Sequence, residues 1–353
     1  MRTGGRDLLT HSRMATFKTC PRKHYFKYDL GIVRDRDSAP LRFGGNFHLG
    51  LELLGKGESL TDVCQTIRQQ YADPPAWAQD GDELEAWRVE EEQVVRMLCG
   101  YEWMWGTDGI TVVATEQQFC LPIRNPVTGG SSTRYRIGGK MDQIVRLPGG
   151  QLAVMEHKTT GDPIESPDAD FWKRTRLDHQ VSLYFWAAWE LGYGVETIVY
   201  DVIHKPGIKP KKLTKSERKQ YVIGPDEDEA PERETIRMYG DRLTEDIGTR
   251  PHYYFRREEV PRLMSDIGEF RAELWQQQKA IAAAHLHGRH YRNTGACSMP
   301  YRCEYLDICH GCGSFEDGIP DGYKKLDYVH PELEEMNGTL TTTAAEGTTE
   351  TTT

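Results

Sequence analysis

The sequence predicts an α/β fold in which a central mixed sheet is flanked by helices. Apolar residues recur at helical spacing through the first hundred residues, and the period changes to that of strands between residues 111 and 159. Helical spacing then alternates with one more buried strand. At 353 residues the chain can bury a large core without cysteine crosslinks. We therefore expect a layered α/β plan with a helical N-terminal region and a cysteine-bearing C-terminal end.

The N-terminal part, about 12–105, is predicted to be helical. Ser12 can cap a helix over RMATFKT, and Pro21 can begin a second helix over PRKHYFKYDL. The apolar spacing predicts three further helices, over residues 43–55, 59–71 and 82–105.

The middle of the chain, about 110–205, carries the strand patterns. Three segments alternate or run apolar like strands, over residues 111–123, 135–147 and 151–159, and PGG at 148–150 supplies a turn between the last two. A helix over 178–193 and a buried strand over 196–205 follow. An insert over about 205–250 then precedes a long amphipathic helix over 259–287.

We predict one domain over residues 1–330, with the C-terminal helix and a cysteine segment at about 258–312. The tail at 337–353 has almost no apolar content, so we expect it to be disordered. Charge interrupts the first thirty residues, and no later segment is long and apolar enough to span a membrane, which predicts a cytoplasmic, reducing location. The chain has no GxxxxGK[ST] phosphate loop, so any helicase activity must come from a partner.

The net charge of −10 argues against a nucleic-acid partner, but the charge is unevenly distributed. Residues 205–219 are rich in lysine and arginine, whereas DEDEAPERE at 226–234 is mostly acidic. One interpretation is a solvated loop that carries both signs. The other is a local contact with the DNA backbone through Lys209, Lys211 and Lys212.

The main candidates for catalytic and metal-binding residues lie in GGKMDQIVRLPGGQLAVMEHK, at 138–158. Two strands joined by a tight turn would place Asp142 beside Glu156, with Lys158 on the same face as Glu156. Two carboxylates at close range suit Mg²⁺ or Mn²⁺, and a nearby lysine can position water or offset charge on a phosphate. An exposed Asp–Lys–Glu ladder is the alternative, but the apolar run before Glu156 is more typical of a functional site.

Four motifs occur in the order found in one nuclease family. They are GGNFHLGLE with His48, GGKMD with Asp142, EHK with Glu156 and Lys158, and QVSLY with Gln180 and Tyr184. In this set the sequence resembles the RecB-like branch of the PD-(D/E)XK nucleases, which includes CRISPR-associated RecB-type exonucleases, the AddB nuclease domain and phage exonucleases. The resemblance spans about residues 12–309 and implies a restriction-endonuclease-like core.

The resemblance also implies a function, that of a metal-dependent DNA exonuclease hydrolysing phosphodiester bonds in recombination, repair or phage DNA processing. Its substrate would be DNA with a free end, and a separate helicase or recombination protein is a possible partner. The implied ligands of Mg²⁺ or Mn²⁺ are His48, Asp142, Glu156 and the backbone carbonyl of His157. Lys158 would assist attack by water.

Two residues on one helix face and one strand residue complete the implied site. Gln180 and Tyr184 are four residues apart, so a helix places both on one face, which the resemblance directs at the active site and the DNA backbone. Glu116 is a candidate for a further acidic group. Two other functions stay open: a non-catalytic nucleic-acid-binding or scaffold protein on the same fold, and a zinc-stabilised RNA-processing nuclease.

The cysteines suggest a metal group away from this site, because clustered cysteines in a reducing compartment are more often metal ligands than disulfides. The resemblance implies a 4Fe-4S cluster with one ligand near the N-terminus and three near the C-terminus: Cys20, Cys297, Cys303 and Cys309. The first C-terminal gap is five residues, where two is typical of the family. The alternative is a Zn²⁺ site from Cys297, Cys303, Cys309 and Cys312. We expect Cys64, Cys99 and Cys120 to be small core residues.

Overall fold

The computed structural model describes residues 7–220, 231–299, 301–311, 318–330 and 333, without the side chains of Lys219 and Gln220. The tail predicted at 337–353 and the alternative zinc ligand Cys312 lie outside these residues. None of the helices in the described ranges is both long and apolar enough to cross a membrane.

The described part of the chain contains both helices and strands. The strands are β1 Asp7–Leu9, β2 Ile32–Arg34, β3 Thr111–Arg124, β4 Ser131–Arg146, β5 Leu152–Thr160, β6 Val195–His204, β7 Phe255–Glu259 and β8 Tyr323–Lys325. The helices are α1 His11–Thr19, α2 Pro21–His24, α3 Ala39–Gly55, α4 Leu60–Tyr71, α5 Gly81–Trp105, α6 Asp170–Thr175, α7 His179–Glu190, α8 Lys215–Gln220, α9 Ile236–Thr249, α10 Pro251–Tyr254, α11 Met264–His287 and α12 Leu306–His310. A π-helical turn, Tyr25–Asp29, continues α2.

The central sheet is mixed, as the sequence predicts. Its strand order is β1-β4-β5-β6-β7, with β3 paired to the other edge of β4. The β3–β4, β4–β5 and β6–β7 pairs are antiparallel, whereas β1–β4 and β5–β6 are parallel. A separate two-stranded ribbon joins β2 to β8.

Helices cover both faces of this sheet. On one face α7 and α11 pack on apolar side chains of β4, β5 and β6, including Ile144, Val154 and Ile198. On the other face α3, α4, α5 and α9 form a second core, which also contains Ile203 and Phe255 at one end of β6 and β7. The prediction of a central mixed sheet flanked by helices is therefore confirmed.

Two local predictions differ from the structure. Thr10, not Ser12, caps α1, because its hydroxyl accepts the N–H of Arg13 at 3.2 Å. The helix predicted from residue 259 begins at Met264, since Glu259 completes β7 and Val260 N–H donates to Ile198 O at 2.7 Å. The insert predicted at about 205–250 contains the helix α9, whose apolar side chains pack on α5.

Candidate active site

A gap in the central sheet creates the site. One edge of β4 pairs with β3, while the other edge pairs with β1 at Tyr135–Ile137 and with β5 at Gln143–Arg146. Among the described strands, none pairs with this edge over residues 138–142. Asp142 stands at the end of the gap, and its Oδ2 accepts a hydrogen bond from the backbone N–H of His157 at 2.8 Å. This contact holds β4 and β5 together beyond the last pair of their ladder.

Glu156 and Lys158, from β5, meet α7 at the same gap. Lys158 Nζ donates to Glu156 Oε1 at 2.9 Å and to Gln180 Oε1 at 2.7 Å. Gln180 Nε2 donates to Glu156 Oε1 and to the Tyr184 hydroxyl, each at 2.9 Å. Because an ammonium only donates, the amide oxygen of Gln180 must face Lys158 and its NH₂ must face the carboxylate. Gln180 therefore bridges the acid and the lysine.

The cap of α7 fixes the position of Gln180. Asp178 Oδ1 accepts the backbone N–H of Gln180 at 2.9 Å, and Tyr200 of β6 donates to Asp178 Oδ2 at 3.4 Å. Arg262 donates to the backbone oxygen of Asp178 at 3.2 Å and to Ser182 Oγ at 3.0 Å. These bonds tie the first turn of α7 to the sheet and to the segment before α11.

His48 approaches the gap from α3, on the other side. Its Nδ1 lies 3.7 Å from Asp142 Oδ2. The helix can come this close because Gly44 lies one turn before His48, where a Cβ atom would approach Thr159 Oγ1 to 3.0 Å. The structure thus brings together all of the motif residues predicted from the sequence: His48, Asp142, Glu156, His157, Lys158, Gln180 and Tyr184.

The titratable groups in the gap differ in their pKa shifts. Burial alone would raise the pKa of Asp142, but His48 and His157 lower it to about 2. Burial and the negative charge of Asp142 raise the pKa of Glu156 to about 8, although Lys158 opposes this. Burial alone would lower the pKa of Lys158 and of His48, but the neighbouring carboxylates raise both. The lysine is therefore held as an ammonium.

The donor set fits a small divalent cation. Glu156 is only 3% exposed, and its Oε2 finds no hydrogen-bond partner among the described residues. A buried carboxylate oxygen without a partner is unfavourable unless a ligand satisfies it. Carboxylate and carbonyl oxygens with one imidazole are the ligands that Mg²⁺ and Mn²⁺ accept. Asp142, Glu156 and His48 could therefore hold such an ion, although their ligand atoms do not all lie within 4.8 Å of one another in this structure.

Comparison with known proteins shows the family of the chain. The family model of the PD-(D/E)XK nuclease superfamily matches residues 8–310. The chain belongs to the PD-(D/E)XK nuclease superfamily. No curated protein matches the chain.

Solved structures similar to this PD-(D/E)XK chain are distant in sequence. One, from Eubacterium rectale, is described as a "putative exonuclease"; it is 13% identical with a TM-score of 0.42, over 86% of this chain and 87% of that chain. Another, SSO0001, is 11% identical with a TM-score of 0.31, over 82% of this chain and 81% of that chain.

Glu116 lies in β3 beside the nuclease site. It falls between the pairs Thr115–Gln143 and Gln117–Met141, opposite Asp142, and its carboxylate forms an ion pair with Lys140. Its φ of 53° lies in the left-handed region, which a residue with a side chain adopts at a cost. Burial raises the pKa of Glu116, Lys140 opposes this, and Asp142 adds to it. The acidic candidate from the sequence is thus near the predicted ligands.

A buried hydrogen-bond network that the sequence does not predict lies behind the nuclease site. The His157 side chain lies on the opposite face of β5 from Glu156, and its Nδ1 is 2.8 Å from Asp201 Oδ2. Tyr101 and Arg257 also donate to the Asp201 carboxylate, Arg257 Nε at 3.0 Å. Burial alone would raise the pKa of Asp201, but Arg257, His157 and Tyr101 lower it to about 2. A charged residue inside the apolar run TIVYDVIH was the available signal.

The predicted cysteines converge around the segment after α11. The backbone N–H of Asn293 donates to Cys20 Sγ at 3.4 Å, and Cys297 Sγ lies 4.0 Å from Asn293 O. The backbone N–H of Cys303 donates to Cys297 O at 2.8 Å. Arg292 Nε lies 3.2 Å from Cys309 Sγ. All seven described cysteines are free thiols, so these residues form no disulfide with one another.

A second group of possible metal ligands lies close to the cysteines. His24, Asp29 and His285 are the one set of three such side chains in the described ranges whose ligand atoms all lie within 4.8 Å of one another. However, Arg13 Nε donates to His24 Nε2 at 3.2 Å, so the lone pair of Nε2 is already used and a neutral His24 carries its proton on Nδ1. Neither ring nitrogen of His24 therefore has a lone pair left for a metal ion. The Arg13 guanidinium also lies 3.6 Å from Asp29. This arrangement fits a hydrogen-bonded ion cluster better than a metal site.

The lysines predicted to contact DNA lie on the surface between β6 and α8. Lys209, Lys211 and Lys212 are exposed. Lys211 Nζ forms an ion pair with Glu217 Oε1 at 2.8 Å, so its charge is partly neutralised. Lys212 forms an isolated backbone bridge with Arg233.

Proposed function

We propose that this PD-(D/E)XK nuclease is a divalent-metal-dependent DNA exonuclease. The observation that carries the proposal is the gap beside β4, where the buried carboxylate of Glu156, the half-buried carboxylate of Asp142 and a lysine meet and one oxygen of Glu156 has no partner among the described residues. A binding protein or scaffold would have no use for such an unfavourable group of charges. The DNA substrate and the need for a free end rest on the resemblance to the RecB-like branch.

Each residue would have a distinct part in phosphodiester hydrolysis. Asp142, Glu156, His48 and the carbonyl of His157 would hold the cation. Bound there, Mg²⁺ or Mn²⁺ would activate water and offset the negative charge that develops on the phosphate. Gln180 would hold the side chains of Lys158 and Glu156 in a fixed position relative to each other, because its amide forms hydrogen bonds to both.

Lys158 would act as a cation and not as a base. Its pKa is raised by Glu156 and Asp142, so it holds its proton at neutral pH. A fixed ammonium beside the reacting phosphate can orient the attacking water and stabilise the developing charge. The proton of that water must therefore leave through another group or through solvent.

Cleavage of end-labelled DNA tests the function. The wild-type protein should shorten linear single-stranded or duplex DNA with Mg²⁺ or Mn²⁺ and leave closed circular DNA intact. Lys158→Ala should abolish this activity. Lys173→Ala is the matched control, because Lys173 pairs with Asp170 on the surface of α6 and should retain full activity. Unchanged cleavage by Lys158→Ala would show that the site is wrong, and cleavage of circles would contradict exonuclease action.

We also propose that Cys20, Cys297, Cys303 and Cys309 hold a 4Fe-4S cluster. Two of the four sulfurs, those of Cys309 and Cys20, accept hydrogen bonds from Arg292 and from the backbone N–H of Asn293, and hydrogen bonds to sulfur are typical of such clusters.

The cluster can be tested by iron and sulfide analysis. The protein purified without oxygen should be brown and contain about four irons per chain. Cys20→Ser should remove the iron, while Cys120→Ser, at a thiol within β3, should retain it. A colourless protein with one zinc per chain would contradict the cluster and support the zinc alternative.

The exposed lysines would add a salt-dependent contact with DNA. Exchanging Lys209, Lys211 and Lys212 for glutamine should weaken DNA binding and reduce its dependence on salt. In a plot of the logarithm of the binding constant against the logarithm of the salt concentration, each lost phosphate contact makes the slope for duplex DNA less steep by about 0.9. Equal slopes for variant and wild type would mean that the segment is a solvated loop. A separate helicase partner and a cytoplasmic location remain predictions of the sequence.

A further inference from the structure

We propose that Asp201 is a positioning residue of the nuclease site, which acts through the side chain of His157 to fix the strand segment that holds Asp142. The inference rests on the proposed nuclease function. It adds to the site a residue that lies outside all four sequence motifs and on the reverse face of the sheet.

His157 connects the two faces. Its backbone N–H donates to Asp142 Oδ2 at 2.8 Å, while its side chain points away from Glu156 and Lys158 and bonds to Asp201 at 2.8 Å. His157 and Asp201 are direct partners in the parallel β5–β6 ladder. Because a carboxylate only accepts, Nδ1 of His157 must carry a proton. Two hydrogen bonds through one residue thus link Asp201 to Asp142.

Asp201 is held rigidly by donors from three separate elements. Its side chain is fully buried, and His157 of β5, Tyr101 of α5 and Arg257 of β7 all donate to it. Arg257 also donates to the Tyr101 hydroxyl at 2.7 Å and pairs with Asp108. The carboxylate cannot rotate without breaking several of these bonds. The imidazole ring of His157 is therefore fixed, and the backbone that carries it is fixed as well.

Stability alone does not explain this network. Burying charged groups costs solvation energy that their attraction only partly returns, so a buried ion network is weak evidence of stabilisation. Two of the three donor types, arginine and tyrosine, also meet at Asp246 of α9, where Arg250 Nε donates at 2.8 Å and Tyr254 also donates. In the part of the chain that the structure describes, no hydrogen bond joins Asp246 to a site residue. Asp246, although its side chain is 25% exposed, is therefore a control for an aspartate bonded to arginine and tyrosine away from the site.

The test compares Asp201→Asn with Asp246→Asn in the full chain. Mn²⁺ binding is measured by calorimetry, and cleavage of end-labelled duplex DNA is measured over a range of Mn²⁺ concentrations. We expect Asp201→Asn to weaken Mn²⁺ binding about 10-fold or more and to shift the activation curve by the same factor, as changes behind metal ligands typically do. DNA binding in EDTA should not change. Asp246→Asn should bind Mn²⁺ like the wild type, whatever its thermal stability.

A double variant tests the route through His157. If Asp201 acts through that side chain, His157→Leu and His157→Leu with Asp201→Asn should bind Mn²⁺ equally well, since the second change removes nothing further. An additional loss in the double variant would contradict the route.

The outcomes separate the inference from the proposed function. Wild-type protein that neither binds Mn²⁺ nor cleaves DNA contradicts the function. Normal wild-type cleavage with unaltered Mn²⁺ binding by Asp201→Asn overturns the inference. If Asp201→Asn does not fold, Tyr101→Phe keeps the carboxylate but removes one of its donors. Tyr101→Phe should also weaken Mn²⁺ binding relative to the wild type, and unchanged Mn²⁺ binding by Tyr101→Phe would likewise overturn the inference.

Discussion

At the scale of single residues, Gln180 is the least replaceable neutral side chain of the site. Its amide accepts from Lys158 and donates to Glu156, and no other uncharged residue of that length offers both groups. We predict that Gln180→Leu lowers kcat about 10- to 100-fold with little change in KM for DNA, because the catalytic groups lose their alignment. Tyr184→Phe, which removes only the hydroxyl beside the amide, should lose less than about 3-fold. An unchanged kcat in Gln180→Leu would show that Gln180 serves only packing.

Glu156 is predicted to stabilise the nuclease only when a cation is bound. Its buried carboxylate faces the like charge of Asp142 and leaves Oε2 without a partner in the described structure. Glu156→Gln should therefore raise the melting temperature in EDTA and abolish activity. Mn²⁺ at about 100 times its Kd should stabilise the wild type by about 2.7 kcal/mol and leave the variant unchanged. Calorimetry of both proteins with and without Mn²⁺ tests this, and a variant less stable in EDTA would contradict it.

At the scale of elements, the packing of α5 on α9 depends on a glycine. A Cβ atom at Gly100 would approach Ile247 Cγ2 to 2.8 Å and Phe255 Cε2 to 3.3 Å. We predict that Gly100→Ala destabilises the fold by about 1 to 3 kcal/mol through overpacking, despite the higher helix propensity of alanine. Gly268→Ala is the control, because nothing lies within 4 Å of its position on α11. It should be neutral or stabilising by urea denaturation, and equal effects at both sites would contradict the packing argument.

The sequence predicts elements well where the signal is local. The turn between β4 and β5 and the alternation on either side set the register that brings Glu156 near Asp142. The helix α9 was missed, although Tyr239, Leu243 and Ile247 repeat every four residues, because charged residues and two glycines dilute the pattern.

The rest of the site depends on contacts between distant parts of the chain. The gap exists because β1 and β5 share one edge of β4, and no local pattern indicates this. The donors to Asp201 from Tyr101 and Arg257 are 100 and 56 residues away in sequence. The buried aspartate was visible in the sequence, but its partners were not.

At the scale of the whole molecule, a histidine cluster connects the N-terminal helices to the C-terminal part of the described chain. The facing groups come from α1, α2 and its π turn, α11 and the segments after it: Arg13, His24, Tyr28, Asp29, His285, His290 and His330. Burial and the charge of Arg13 lower the pKa of His24 to about 2 and that of His285 to about 4. The pKa of His290 is lowered by burial and by Arg22. His24, His285 and His290 are therefore neutral in the fold at pH 7.

This cluster predicts that the fold weakens in mild acid. The folded pKa of His285 lies below its ordinary value of 6.5, so the unfolded chain binds more protons below that pH. The free energy of unfolding therefore keeps the full contribution of neutral His285 above about pH 6.5 and loses it as the pH falls towards 4. The loss is at most about 1.4 kcal/mol per pH unit for each such histidine. His285→Gln removes one such group and should make urea midpoints less dependent on pH between 7.5 and about 4.5. His287→Gln, at an exposed position on the same helix, should show the same change of urea midpoint with pH as the wild type. If the wild type and both variants change equally with pH, the histidine cluster does not cause the loss of stability in acid.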